Sequence, residues 1–148
     1  MAQLYWSDEL LTGVQDIDNQ HREVFEQITR FLQDCEKGKG RASIEHTLSY
    51  FENYVRFHFE AEEKLQQATG YPHVRAHQGH HALLLDKLNE LKASLAHGGI
   101  TLGLSMKAMQ FWADWFVHHI AKEDKAVADF LRAKGLSPVH VAGGRVKT

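Results

Sequence analysis

Apolar side chains recur along most of this chain in alternating steps of three and four, the spacing that keeps them on one face of an α-helix. The stripe Ile44, Leu48, Phe51 and Val55 is one example, and Val24, Phe25, Ile28, Leu32 and Cys35 form another. A third runs through Val74, Leu84, Leu88, Leu91 and Leu95, and a fourth carries Leu104, Ala108, Phe111, Trp112 and Trp115. Glycines at Gly38 and Gly40, at Gly70, and at Gly98 and Gly99 separate these stretches, and the two prolines, Pro72 and Pro138, interrupt none of them. The spacing predicts helices over Asp18–Lys37, Ser43–Gln67, Pro72–Ala96 and Thr101–Ala133, with Asp18 as the first N-cap and Pro72 in a first helical turn. Connectors this short make successive helices antiparallel neighbours. The expected fold is therefore all-α: an up-down-up-down antiparallel four-helix bundle over residues 18–133, with an N-terminal arm over 1–17 and a short, loosely held C-terminal tail over 134–148.

The stripes are interrupted by polar residues at inward places. They are His21 on the first helix, His58 and Glu62 on the second, His77 and His81 on the third, and His119 followed by Asp124 on the fourth. These fall early, late, early and late along alternating helices, so an antiparallel bundle brings them to one layer. Burying such groups without partners would cost several kcal/mol. Residues i and i+4 differ by about 40° around a helix, so His58 with Glu62, and His77 with His81, can face one centre. His119 and Asp124 are five apart, about 140° on an ideal helix. Both can face inward only if the helix is irregular within Ile120–Glu123.

Five imidazoles and two carboxylates exceed what one tetrahedral zinc takes, and suit two metals. Nitrogen and oxygen donors without thiolate favour iron or manganese. Two divalent ions bring four positive charges, and Glu62, Asp124 and a bridging hydroxide offset three, leaving about one. The remaining histidines, His46, His73, His80, His97, His118 and His140, fall off the stripes or in loops and read as surface residues. His80 and His118 each adjoin an inward histidine but lie about 100° around the helix from it. Glu60 and Glu63 are expected to point outward as solvated charges.

Composition narrows the function. The chain has 148 residues, enough for one sizeable core, and a formal net charge of −2. With no long run of lysine or arginine, nucleic acid and anionic membranes are not expected partners. A single cysteine, Cys35, allows no internal disulfide or cysteine-based metal cluster and reads as a small buried apolar residue. The start, "MAQLYWSDELL", has no secretory pattern. No membrane insertion and a cytoplasmic location are expected.

The segments "DNQH", "HFEAEE", "YPHVRAHQGHH" and "WFVHHIAKED" carry the inward polar residues. In their order and helix placement they closely resemble the hemerythrins, specifically the single-domain bacterial ones, over about Trp6 to Leu131. The resemblance implies two iron ions in a non-haem di-iron centre with an oxo or hydroxo bridge. His77, His81 and His119 would hold one iron, His21 and His58 the other, and Glu62 and Asp124 would bridge both. It also implies an apolar oxygen pocket, to which Val24, Phe25, Phe59, Trp115, Phe116 and Ile120 are assigned. The expected function is reversible binding of dioxygen for transport, storage or local supply rather than enzymatic turnover. The competing expectations are an oxygen- or redox-sensing module and a di-iron oxidase or peroxidase. Against carboxylate-rich di-iron enzymes stands the absence of any Glu-x-x-His from the sequence. A monomer serving an oxygen-consuming protein completes the expectation.

Overall fold

The computed structural model describes residues 10–98, 100–135, 141–142 and 145–146. Four long helical segments form the bundle: α1 (Gln15–Glu36), α2 (Arg41–Thr69), α3 (Val74–Ala96) and α4 (Leu102–His119). The last continues through a π-helical turn, Ile120–Asp124, into α5 (Lys125–Ala133). The neighbouring pairs α1 with α2, α2 with α3, α3 with α4, and α1 with α4 pack together, which is the expected four-helix bundle. Beyond it, β1 (Val141–Ala142) pairs antiparallel with β2 (Arg145–Val146), a two-residue ladder with no counterpart in the sequence reading. The rest of the expected tail, from residue 136, lies outside the described residues. Among the described residues no helix is long and apolar enough to cross a membrane.

The helix ends follow local chemistry. α1 begins one turn earlier than expected, with Val14 at the N-cap position, so Ile17 belongs to the helix rather than to an arm. Asp18 is not the N-cap. Its carboxylate accepts the Thr12 amide and hydroxyl, both at 2.8 Å, and the Gly13 amide at 3.1 Å, tying the incoming chain to the first helical turn. α2 ends at Gly70, whose φ of 74° is the left-handed conformation that glycine adopts without penalty. Pro72 lies in the turn before α3 rather than inside its first turn. At the start of α4 the Thr101 hydroxyl accepts the Leu104 amide at 3.1 Å, a side-chain cap.

The inward face of α4 differs from the expected one by a single residue. Leu104 and Phe111 are 53% and 61% exposed, and Ala108 and Trp115 only partly buried. Ser105, Met109, Trp112, Ala113 and Phe116 face the core instead. The two phases are equally helical. Ser105, small and polar, hides the true one, whereas Leu104 and Phe111 advertise the false one. Trp112, which belongs to both faces, donates its indole N–H to the Leu84 carbonyl at 2.9 Å across the α3–α4 contact.

The core is in two parts. A large apolar cluster, including Ile28, Phe31, Ile44, Leu48, Phe51, Leu88, Leu95 and Met109, fills most of the bundle. A smaller one, Val14, Ile17, Leu65, Tyr71, Val127, Ala128 and Leu131, closes one end. The inward polar residues lie where the clusters meet: His21 falls between Ile17 and Val24, Glu62 between Phe59 and Leu65, His77 and His81 between Tyr71 and Leu84, and Asp124 between Ile120 and Val127, while His58 and His119 adjoin residues of the large cluster on both sides. Met109→Ala should cost about 2–5 kcal/mol of stability as a buried large-to-small change. Phe111→Ala, two residues away and exposed, should cost about 0.5 kcal/mol or less. Urea denaturation of the two variants checks the phase of α4.

Candidate metal centre

Each helix delivers its polar residues to the layer by its own periodicity, except the last. There the π turn intervenes: the Lys125 amide donates to the Ile120 carbonyl five residues back. Closing the turn over five residues instead of four returns residue i+5 toward the face of residue i. His119 and Asp124 therefore both point inward, and the irregularity occupies the place where the sequence required one.

All seven expected residues are buried: His21 and His58 at 0% exposure, Asp124 at 2% and His119, the least buried, at 6%. Their donor atoms gather into two overlapping sets able to hold a cation each. Glu62, His77, His81, His119 and Asp124 form one, and His21, His58, Glu62 and Asp124 form the other. Asp124 divides its oxygens between them: Oδ1 lies 2.9 Å from His77 Nε2 and 3.1 Å from His119 Nε2, and Oδ2 lies 3.0 Å from His21 Nε2. Glu62 Oε1 lies 2.6 Å from His58 Nε2, and its Oε2 faces His77 Nε2 at 3.9 Å. His119 Nε2 is 3.0 Å from His77 Nε2 and 3.2 Å from His81 Nε2. Two nitrogens about 2.1 Å from one cation and at right angles would be about 3.0 Å apart.

Close as they are, several of these atoms make no hydrogen bond. His21 Nε2, His58 Nε2, Glu62 Oε1 and both Asp124 carboxylate oxygens are buried without an aligned partner, and so is His21 Nδ1. Buried polar atoms are rarely left so, and here the lone pairs of all but His21 Nδ1 converge on shared points as ligands of a cation do. The residues fit a pair of metal ions with nitrogen and oxygen donors. Cys35 takes no part, being fourteen positions beyond His21 on α1, about 21 Å along the axis.

A second ring of side chains orients the imidazoles. His58 Nδ1 donates to Gln20 Oε1 at 2.8 Å, leaving Nε2 to the centre. Gln66 holds His77 Nδ1 at 2.9 Å through its amide, whose Oε1 is a half-turn away from the same position. His81 Nδ1 lies 2.7 Å from Glu63 Oε2, and its ring stacks on Phe59 with centroids 3.8 Å apart. Glu63 is thus not the outward, solvated charge expected of it. Gln20 and Gln66 carried no expectation, although Gln66 continues the His58, Glu62 spacing by one more step of four.

Of the assigned pocket residues, Val24, Phe25, Phe59, Phe116 and Ile120 are all buried in the large cluster. The Phe116 ring stands nearly perpendicular to His21 and His58, 5.6 and 6.3 Å away, and Phe25 lies 5.8 Å from Phe116. Trp115 differs, being only partly buried and lining two outer clefts instead.

The electrostatics are those of a crowded, ion-rich layer. Burial pushes the His21 imidazole down, but the Asp124 and Glu62 carboxylates outweigh it and raise its pKa to about 9. Burial and Asp124 push Glu62 up, yet His58 and His21 hold it at about 2. Burial likewise opposes the ionisation of Asp124, and His119, His21 and His77 overcome it, keeping the carboxyl well below its ordinary range. Burial lowers His58 and His81.

A four-helix bundle with two overlapping histidine and carboxylate ligand sets defines a class of metal-binding proteins, and the comparisons specify which. Residues 12–131 match the profile of the hemerythrin HHE cation binding domain. The chain is 34% identical over 132 residues to a bacteriohemerythrin of Pseudomonas aeruginosa, covering 89% of this chain and 84% of that one. It is 31% identical over 134 residues to a bacteriohemerythrin of Methylococcus capsulatus, covering 90% of this chain and all of the relative. A crystal structure of wild-type hemerythrin superposes with a TM-score of 0.77 at 27% identity, over 86% of this chain and 97% of that one. The chain belongs to the hemerythrin family.

Two expectations follow from the site. Protons compete with cations for His21 Nε2, so a divalent ion must displace the proton that the carboxylates hold there. Because that pKa is raised from 6.5 to about 9, cation affinity of the metal-free protein should climb as pH rises through this window and level off above it, as measured by competition with a chelator. Glu63→Leu should weaken cation binding about 10–100-fold by releasing His81, with Glu63→Gln retaining more of the affinity because its amide oxygen still accepts from Nδ1. Calorimetric titration of the two variants distinguishes them.

Proposed function

We propose that this protein binds dioxygen reversibly at a non-haem di-iron centre held by His21, His58, Glu62, His77, His81, His119 and Asp124, without net turnover of a substrate. The observation that carries this reading is the inequality of the two ligand sets. The His77, His81 and His119 set offers three imidazoles with two carboxylates, and the His21 and His58 set offers two imidazoles with the same carboxylates. Ions of similar geometry would leave one more position free on the His21 and His58 side, the side faced by Phe116. The family points to oxygen binding as well.

A pair of ferrous ions bound there would supply the two electrons that dioxygen takes up and returns. The protein's own part is to hold, orient and exclude. Asp124 and Glu62 lower the repulsion between two cations by placing negative charge between them. Gln20 and Glu63, through His58 and His81, fix which imidazole nitrogen faces the centre. Phe25, Phe116, Ile120 and Val24 keep bulk water, a source of protons, away from the two-imidazole side. Neutral imidazoles in the majority supply less negative charge than a carboxylate-rich site would, which favours reversible binding over cleavage of the O–O bond.

Cycles of oxygen addition and removal on iron-loaded, anaerobically reduced protein, followed by visible absorption, test the proposal. A band that appears with oxygen and disappears on its removal is the expected result. Irreversible conversion to a ferric spectrum at the first exposure would transfer the function to the oxidase or sensor class, and absence of any oxygen-dependent band would end the oxygen-binding reading.

A further inference from the structure

His80 and His118, set aside as surface residues in the sequence, line one cleft. The cleft, about 270 Å³, lies between α3 and the end of α4, and its walls also include Glu123, Lys122, Leu84 and His119. It therefore reaches a member of the buried layer from outside: His119 is 6% exposed, and its ring centroid is 6.1 Å from that of His80. The π turn makes this possible, because the same turn that aims Asp124 inward carries Glu123 in the cleft wall.

His80 Nδ1 and Glu123 Oε1 are 3.6 Å apart, too far for a hydrogen bond. Two donors each about 2.1 Å from one cation would stand at that separation with an angle of roughly 115–120° between them, within the range of tetrahedral coordination. The pair is open to solvent, with side-chain exposures of 50% and 24%, whereas both donor sets of the buried layer are closed. His118 lines the same cleft. The one opposing charge is Lys122, an exposed ammonium on a flexible stem that can turn away.

We propose that this cleft is a capture site for a divalent cation, with His80 and Glu123 as its protein ligands and water completing the shell, and that it feeds the His77, His81 and His119 half of the centre. The feeding role rests on the reading of the buried layer as a metal centre. The capture role does not, because neither His80 nor Glu123 belongs to that layer. The cation exchanges its waters for His80 and Glu123 in the open cleft, then passes His119, the least buried of the seven.

The test is a calorimetric titration of the metal-free full-length chain with Zn²⁺, paired with stopped-flow uptake of Co²⁺ read by its ligand-field absorption. Wild type should take up two equivalents tightly and a third weakly. His80→Ala and Glu123→Gln, both outside the buried layer, should keep the two and lose the third, and should fill with Co²⁺ several-fold more slowly. Far-ultraviolet circular dichroism confirms that the variants are folded. A wild-type protein with no third equivalent, or variants that retain it, would overturn the capture site. Loss of the third equivalent with unchanged filling rates would overturn its feeding role. Absence of the tight pair from wild type would defeat the metal-centre reading instead, leaving the third equivalent to be judged by its own loss.

Discussion

The constraint on which this structure depends is the burial of two ionised carboxylates among five imidazoles in the middle of an apolar bundle. Asp124 and Glu62 are each within 3.1 Å of at least one imidazole nitrogen, yet key oxygens and nitrogens have no hydrogen bond. Desolvation of such charges is costly, and mutual attraction offsets it only when every lone pair finds a positive partner. The layer is built for positive charge at its centre. The carboxylates raise the pKa values of His21 and His119 against the downward push of burial, so positive charge is favoured there. Two cations would supply it more completely, because each can satisfy several converging lone pairs at once.

That requirement explains the division of the core. Polar groups that must meet at one height exclude apolar packing there, so the hydrophobic interior is split into a long cluster on one side and a small cap of Val14, Ile17, Leu65, Tyr71, Val127, Ala128 and Leu131 on the other. The cap is more than filler. By closing the short end it keeps water from the layer, and it recruits residues just before and within the first turn of α1, with Asp18 fastening Thr12 and Gly13 to that turn. Residues 12–17 thus belong to the closed end of the bundle.

The π turn is where the functional demand overrides the preferred backbone. A continuous α-helix from Leu102 to Ala133 would satisfy every local hydrogen bond but would turn either His119 or Asp124 away. One widened turn admits both, and gives the layer a carboxylate with one oxygen toward each ligand set. It also leaves Glu123 at the outer cleft, so a single backbone feature serves the buried layer and the surface next to it.

Features that rest on periodicity and residue chemistry are legible along the chain alone. The helices, their antiparallel order, the seven inward polar residues and the need for an irregularity after His119 are all legible, because a histidine or carboxylate on an apolar stripe contradicts its surroundings wherever it occurs. Other features depend on which of two nearly equivalent local arrangements a neighbouring helix selects, and these emerge only in the folded bundle. The phase of α4 is one such choice, made by packing that buries Ser105, Met109, Ala113 and Phe116 rather than by the pattern of Leu104 and Phe111. The partners of the imidazoles are another: Gln20 reaches His58 from α1, and Glu63 reaches His81 from α2, across distances of 38 and 18 residues in the chain. Such pairings leave no periodic trace, since each residue's spacing records only the face of its own helix, while its partner is set by how two helices are placed against each other.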